Sequence, residues 1–245
     1  MNGAPLVLAL DTSHQRGSVA VSRGDEILSE ILFDASDTHS ATLLPAVDVC
    51  LAAAKVSLGA VDLIAVVSGP GSFTGLRIGL ATVKAFAAVR RIPVVPVDSC
   101  AVLAAAFPYA AHPVFPLIDA RRGEVYGALY ETEGGPPREI APIFSARPET
   151  LGLLLERYGI TDPVIVCGTG MLRHRVVLEP LMPAGSFFAA GRCTAPSASI
   201  CAHLALARNP LPYEKLSTLE PLYIRPADAR LPDTARLKVR GGGAG

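Results

Sequence analysis

The stretch SGPGSFTGLRIGL at residues 68–80 carries four glycines directly after an apolar run, VDLIAVV, at 61–67. A glycine turn between a strand and a helix can aim backbone N–H groups at a phosphate. The P-loop pattern, GxxxxGK[ST], is excluded, because no Gly-Lys-Ser/Thr occurs in the chain. The dinucleotide fingerprint GxGxxG fails at its last position, where Thr74 stands. A looser GxGxxxG is met by Gly69, Gly71 and Gly75, and Asp98 closes the next strand where a ribose-binding acid belongs. That leaves a Rossmann-type, dinucleotide-dependent oxidoreductase as one reading.

Two aspartates offer different chemistry. Asp11 in LALDTSHQRGSVAV and Asp119 in PLIDARRGEVYGALY each end an apolar run and precede a short turn, a glycine and a second run. Facing a shared cleft, they would hold magnesium or activate water. Each could equally accept a backbone N–H of its own hairpin, and this turn reading is favoured. A second match, DLIAVVSGPG from Asp62 and DPVIVCGTG from Asp162, has nearly the same offset. It pairs Gly69 and Gly71 with Gly168 and Gly170. An internal duplication follows, with lobes at 1–108 and 109–226 and a boundary near PYAAHP. The duplicated nucleotide-binding fold of actin, Hsp70 and the sugar kinases has this form: an α/β, two-lobe (ASKHA) fold of mixed sheets flanked by helices. There a hairpin turn in each lobe faces the phosphates. Asp11, Thr12, Ser13, Gly69, Gly71, Asp119, Gly168 and Gly170 are the candidate vestiges of such turns. An ASKHA-type kinase is therefore a further reading, although GTGMLRHRVV lacks a clear adenosine-binding glycine pattern.

Other chemistries find less support. Asp11, Ser13 and His14 are neighbours in sequence, but neighbours are not a triad, and no GxSxG elbow exists. The five histidines form neither HxxxH nor HExxH, and the five cysteines form no CxxC, so no metal is expected. The formal net charge is zero, which argues against stand-alone nucleic-acid binding. The N-terminus lacks a basic leader pattern, and Lys84 and Arg90 interrupt the longest apolar candidate. A soluble cytoplasmic protein is expected, with no membrane partner.

The elements that must position these residues are legible as patterns. PLVLAL reads as a buried strand, and SVAVSRGDEILSEILF as two more joined at Arg23-Gly24-Asp25. Asp37 to Ser40 offer N-caps for a helix with Leu44, Val47, Leu51 and Ala54 at helical spacing, and Pro45 is expected either in its first turn or at a kink, since a deeper proline breaks backbone bonds. A strand at 62–67, a helix at 73–90, a strand at 94–97 and a helix at 98–107 follow. Gly75 and Gly79 share one face of the 73–90 helix, so something presses close there: this chain's own packing, or a helix of another subunit. On the second reading, Gly75→Leu or Gly79→Leu would weaken association. The tail at 227–245 is expected to be disordered, since its glycine end and charges cannot build a core.

Taken in order, LALDTS, THSATLLP, SGPGSFTGLRIG, PLIDARRGEVY, GTG and PLYIRP resemble the TsaB (YeaZ) family over residues 5–226. That resemblance implies a non-catalytic partner in the machinery that forms threonylcarbamoyladenosine beside the tRNA anticodon. The implied partners are a TsaD-like catalytic subunit, bound as a heterodimer, and a TsaE-like ATPase, with a homodimer when the chain is alone. Implied too is ATP and magnesium used by the complex, with no cofactor held by this chain alone. Pairing would run through helices at about 40–55 and 73–90, which makes His39, Leu43, Leu44, Val47, Phe73, Gly75, Leu76, Ile78, Gly79 and Val83 the candidate interface. TsaD-like proteins carry a metal-binding His-xxx-His pair on the first long helix. Here Leu43 stands four residues after His39, and leucine ligates nothing. Arg121, Arg122, Arg173 and Arg175, with Arg230, Arg236, Lys238 and Arg240 of the tail, are the candidates for contact with tRNA.

Overall fold

A computed structural model describes residues 3–34, 39–189 and 191–224. The first sheet contains β1 (Leu6–Asp11), β2 (Arg16–Arg23), β3 (Glu26–Asp34), β4 (Leu63–Gly69) and β5 (Val94–Asp98), in the order β3-β2-β1-β4-β5. The second contains β6 (Val114–Arg121), β7 (Glu124–Glu131), β8 (Arg138–Ala146), β9 (Ile165–Cys167) and β10 (Phe187–Phe188), in the order β10-β9-β6-β7-β8. In each, the first three strands meander antiparallel and the last two join in parallel. The second sheet thus repeats the first strand for strand, β6 standing for β1 and β9 for β4. This topology overturns the Rossmann reading. The glycine turn follows the fourth strand of a sheet that opens with a meander, where a dinucleotide fold would have its first βαβ unit.

The helices are α1 (His39–Ala53), α2 (Phe73–Arg90), α3 (Ser99–Ala105), α4 (Leu151–Arg157), α5 (Thr169–Leu178) and α6 (Ala198–Leu206). The central strand β1 is buried along its whole length, and its pleat sends alternate residues into two cores. Leu6, Leu8 and Leu10 join Leu43, Val47 and Cys50 of α1 and Leu80, Val83 and Ala87 of α2. Val7 and Ala9 join a central cluster shared by both sheets. There α3 packs on β6 and β7, while α6 packs on β1, β2 and β4. Each sheet is therefore covered by the helix that follows the other. Alanine, valine and cysteine dominate this cluster, because helices pressed between two sheets leave room only for short side chains.

The last strand of the first sheet ends at Asp98 and the first of the second begins at Val114, but the chain crosses back. Leu211 N–H donates to Val94 O at 2.7 Å, and Leu216 and Leu219 enter the core of the first sheet. Lys84 Nζ meets Ser217 O at 3.0 Å, and Leu222 N–H donates to Ser68 O at 2.7 Å. Residues 211–224 thus form a strap along α2, packed on the first lobe.

Pro45 lies in the second turn of α1, not the first, since His39 is already helical. Its ring leaves the Ala41 carbonyl without a helical N–H, at a point where Pro45 itself is exposed. Asp37 and Thr38, candidate caps, and the segment 227–245 lie outside the described residues. Among the described residues no helix is long and apolar enough to cross a membrane.

Candidate functional site

The Asp11 turn leaves the end of β1. Ser13 N–H donates to Asp11 Oδ1 at 2.8 Å, which is the turn bond expected of an aspartate there. Asp11 Oδ2 is buried without a hydrogen-bond partner, and burial pushes the carboxyl up to about 7. The glycine turn is folded tightly onto this one. Ser72 N–H donates to Ser13 O at 2.7 Å, and a Cβ on Gly71 would overlap that same carbonyl. Ser72 Oγ caps α2 by accepting Gly75 N–H at 3.2 Å. Thr12 Oγ1 donates to Gly75 O at 2.7 Å and fills the place where Gly79 lacks a Cβ. The N–H groups of Ser72 and Gly75, which a phosphate would need at a helix N-terminus, are spent inside the chain. Gly69 has φ +113, and the Leu222 carbonyl of the strap lies 3.1 Å from where its Cβ would be.

Ser13 Oγ and His14 Nδ1 are 2.8 Å apart, a hydrogen bond that raises the question of a nucleophile. A triad needs the second imidazole nitrogen on an acid and the hydroxyl open to substrate. Here His14 Nε2 is buried without a partner, Asp11 is engaged by the Ser13 amide, and Ser13 is fully buried. Burial lowers the His14 pKa to about 4, so the ring is neutral at pH 7. The cluster is a packed polar plug.

In the second lobe, Asp119 N–H donates to Thr169 Oγ1 at 3.1 Å, and Asp119 Oδ1 accepts Arg121 N–H at 2.9 Å. Its Oδ2 is paired with Arg173 at 3.1 Å and Arg121 at 3.7 Å. Two guanidinium groups occupy the oxygen that would face a cation. Gly168 has φ +94, and a Cβ there would overlap the Leu117 carbonyl; one on Gly170 would come within 3.0 Å of the backbone of β6. These glycines let α5 sit directly on the sheet. Among the described residues no three His, Cys, Asp or Glu side chains gather as a metal set.

The candidate interface residues divide by face. Leu43, Val47, Gly75, Leu76, Gly79 and Val83 are buried within this chain. Leu44 and Phe73 are exposed and Ile78 is half-buried, while the His39 side chain lies outside the described residues. Helical spacing identifies the helices, but their inward rows serve this chain's own core. For Gly79 the close neighbour is Thr12, so the packing reading is the one observed there. The outward rows offer Leu44 and Val49 on α1 and Phe73, Ala81, Ala85 and Val89 on α2. At one end, Arg77 Cζ lies 3.7 Å from the Phe73 ring centroid and its Nε–H donates to Tyr223 Oη at 2.9 Å. This explains why SGPGSFTGLR and PLYIRP belong together: Leu222 and Tyr223 of the strap fasten onto the glycine turn and α2. Only a 146-residue separation in sequence hides that contact.

Two sheets of the same mixed topology, each with an aspartate turn at its central strand, define an actin/Hsp70-like (ASKHA) protein. Component A of (R)-2-hydroxyglutaryl-CoA dehydratase from Acidaminococcus fermentans shares that fold, with TM-score 0.50 and 12% identity over 87% of this chain and 100% of that one. A far closer likeness is YeaZ from Pseudomonas aeruginosa, with TM-score 0.73 and 30% identity over 89% of this chain and 99% of that one. The family described as "TsaD: tRNA N6-adenosine threonylcarbamoyltransferase" matches residues 33–153. The "tRNA threonylcarbamoyladenosine biosynthesis protein TsaB" of Bacillus subtilis (strain 168) is 30% identical over 224 residues, 91% of this chain and 95% of that protein. The protein of the same name in Haemophilus influenzae is 40% identical over 124 residues, 49% of this chain and 51% of its own length. The chain belongs to the TsaB (YeaZ) family.

Proposed function

We propose that this chain is a catalytically silent subunit that pairs with a TsaD-like threonylcarbamoyltransferase in making threonylcarbamoyladenosine on tRNA. One observation carries the reading: the turns that face phosphates in this fold are closed by the chain itself. Ser13 takes the Ser72 amide, and two arginines occupy Asp119. ATP and magnesium then serve the complex, through the TsaD-like subunit and a TsaE-like ATPase, and this chain alone holds neither. The outward rows of α1 and α2 are the docking face. Their exposed apolar side chains want cover, and the small Ala81 and Ala85 allow a partner helix to approach closely. A second copy takes that face when the chain is alone, and the assembly works in the cytoplasm.

The test is assembly with the TsaD-like protein of the same organism, read by sedimentation. Ala85→Arg places a long cation on the exposed row without touching the core, and is expected to weaken the heterodimer at least ~30-fold, the scale of a central interface clash. Leu172→Arg, on α5 of the other lobe, is the control and should assemble normally. Unchanged assembly by Ala85→Arg would move the interface elsewhere.

A further inference from the structure

The second lobe carries a basic rim that the silent-partner reading does not use. The register Arg121↔Glu124 places Arg122 at the β6–β7 turn, and the register Val125↔Ala146 brings the end of β8, hence Arg147, to the same end of the sheet. Strand β9 runs parallel to β6 and delivers α5 there too, with Arg173 in its second turn. Four arginines from three connections thus collect at one sheet end. Asp119 lies beneath them with its side chain 12% exposed, anchoring Arg173 and Arg121, whose own side chains are 55% and 80% exposed. A single half-buried acid therefore fixes two guanidinium groups while leaving most of their N–H donors outward.

The backbone supports the same conclusion. Arg121 and Arg122 adopt φ +65 and +52, a left-handed conformation in which glycine or asparagine is the unstrained choice. The tight hairpin turn requires that conformation, and the Arg121 amide on Asp119 holds it, so the arginines are presented at a fixed turn. The acids that face the rim are Glu124, which accepts from Ser145 Oγ, and the exposed Glu149. Arg175 is turned away from this acid, pairing with Glu179 at 3.1 Å and lying over the Phe188 ring, and is not part of the rim.

We propose that Arg121, Arg122, Arg147 and Arg173 form a contact site for the phosphodiester backbone of tRNA. The ligand chemistry is phosphate, since planar forked donors match its oxygens, and the source is RNA because the rim is an exposed hairpin end. Nucleotides are held in concave sites, whereas a nucleic-acid backbone is tracked along open surface. The chain's zero net charge makes this an auxiliary contact, effective once a partner supplies the rest. The inference rests on the partner reading above, since only an assembled complex brings tRNA to the rim.

The experiment measures binding of unmodified tRNA to the complex of this full chain with its TsaD-like partner, across a salt series. Arg122→Gln/Arg147→Gln leaves both partners of Asp119 in place, so its fold is not at stake. A variant with Arg121→Gln and Arg173→Gln added removes the whole rim. Each lost phosphate contact should weaken binding about fivefold near 0.15 M salt and reduce the slope of log K against log salt by about 0.7–0.9. The double variant is thus expected to bind about 25-fold more weakly, with a slope lower by about 1.5. Unchanged affinity and slope in both variants, with assembly intact by sedimentation, would overturn the rim and leave the partner reading standing. Loss of ATP binding with tRNA binding unchanged would assign the phosphate to a nucleotide and overturn the RNA site. Failure of the unmodified chain to assemble would instead strike the partner reading.

Discussion

Replacing Asp11 by asparagine and, separately, His14 by glutamine should tilt the pH dependence of stability in opposite directions. Asp11 is raised from 3.8 to about 7, chiefly by burial. Between those values the native carboxyl keeps a proton that the unfolded chain has released, so the native state binds more protons. The Asp11 contribution to stability is therefore fully present below pH 3.8 and is lost as pH climbs through about 7, a fall of about 4 kcal/mol. His14 runs the other way. Burial lowers it from 6.5 to about 4, so over that window the unfolded ring binds the extra proton and stability rises with pH, by about 3 kcal/mol. In the unaltered protein the two nearly cancel between pH 4 and 6.5. Asp11→Asn leaves the His14 rise uncovered, and His14→Gln leaves the Asp11 fall. The assay is urea denaturation at half-unit steps from pH 4 to 8, comparing each variant with the unaltered chain so that all other titrations cancel. Lost hydrogen bonds shift a whole curve by a constant and do not tilt it. Three parallel curves would refute the reasoning, because the two groups would then titrate in the native state as they do when unfolded.

Gly79→Ala should destabilise the fold by about 1–3 kcal/mol, because its Cβ meets Thr12 Oγ1 against the helix. In a Thr12→Ala background much of that cost should vanish, which a double-mutant cycle by thermal melting can read. Leu216→Ala should cost about 2–4 kcal/mol, as for a buried leucine elsewhere, since it empties a place in the first-sheet core. A cost within measurement error would mean the strap is not packed on α2 in solution.

Much of the fold was legible because its signals are local. The 73–90 helix is found where glycine turn and apolar spacing place it, and Asp98 caps the helix that follows through Ala101 N–H at 2.7 Å. The duplication was legible because Asp11 closes β1 and Asp119 lies near the end of β6, the equivalent strand. What periodicity could not give was the choice between two faces of one helix. Gly75 and Gly79 mark a close approach, but glycine does not say whether the neighbour is Thr12 or another subunit. The resemblance implied the helices of an interface, and six of the ten residues named on them are buried within this chain. The strap stayed hidden for a different reason. Residues 211–224 have neither strand alternation nor a long helical period, and their position depends on single contacts such as Leu222 N–H to Ser68 O. Arg147 was missed as well, since only the register of β7 with β8 brings it beside the Arg121 turn.

The central claim is that this chain is required for, yet does not perform, the threonylcarbamoyl transfer. The direct measurement is reconstitution by omission, with this chain, the TsaD-like and TsaE-like proteins, ATP, magnesium, threonylcarbamoyl-adenylate and unmodified tRNA. Modified adenosine is quantified by mass spectrometry as each component is left out. The account predicts no product from this chain alone and a loss of product when it is omitted from the full mixture. Product formed equally well without it, or by it in the absence of the TsaD-like protein, would contradict the account.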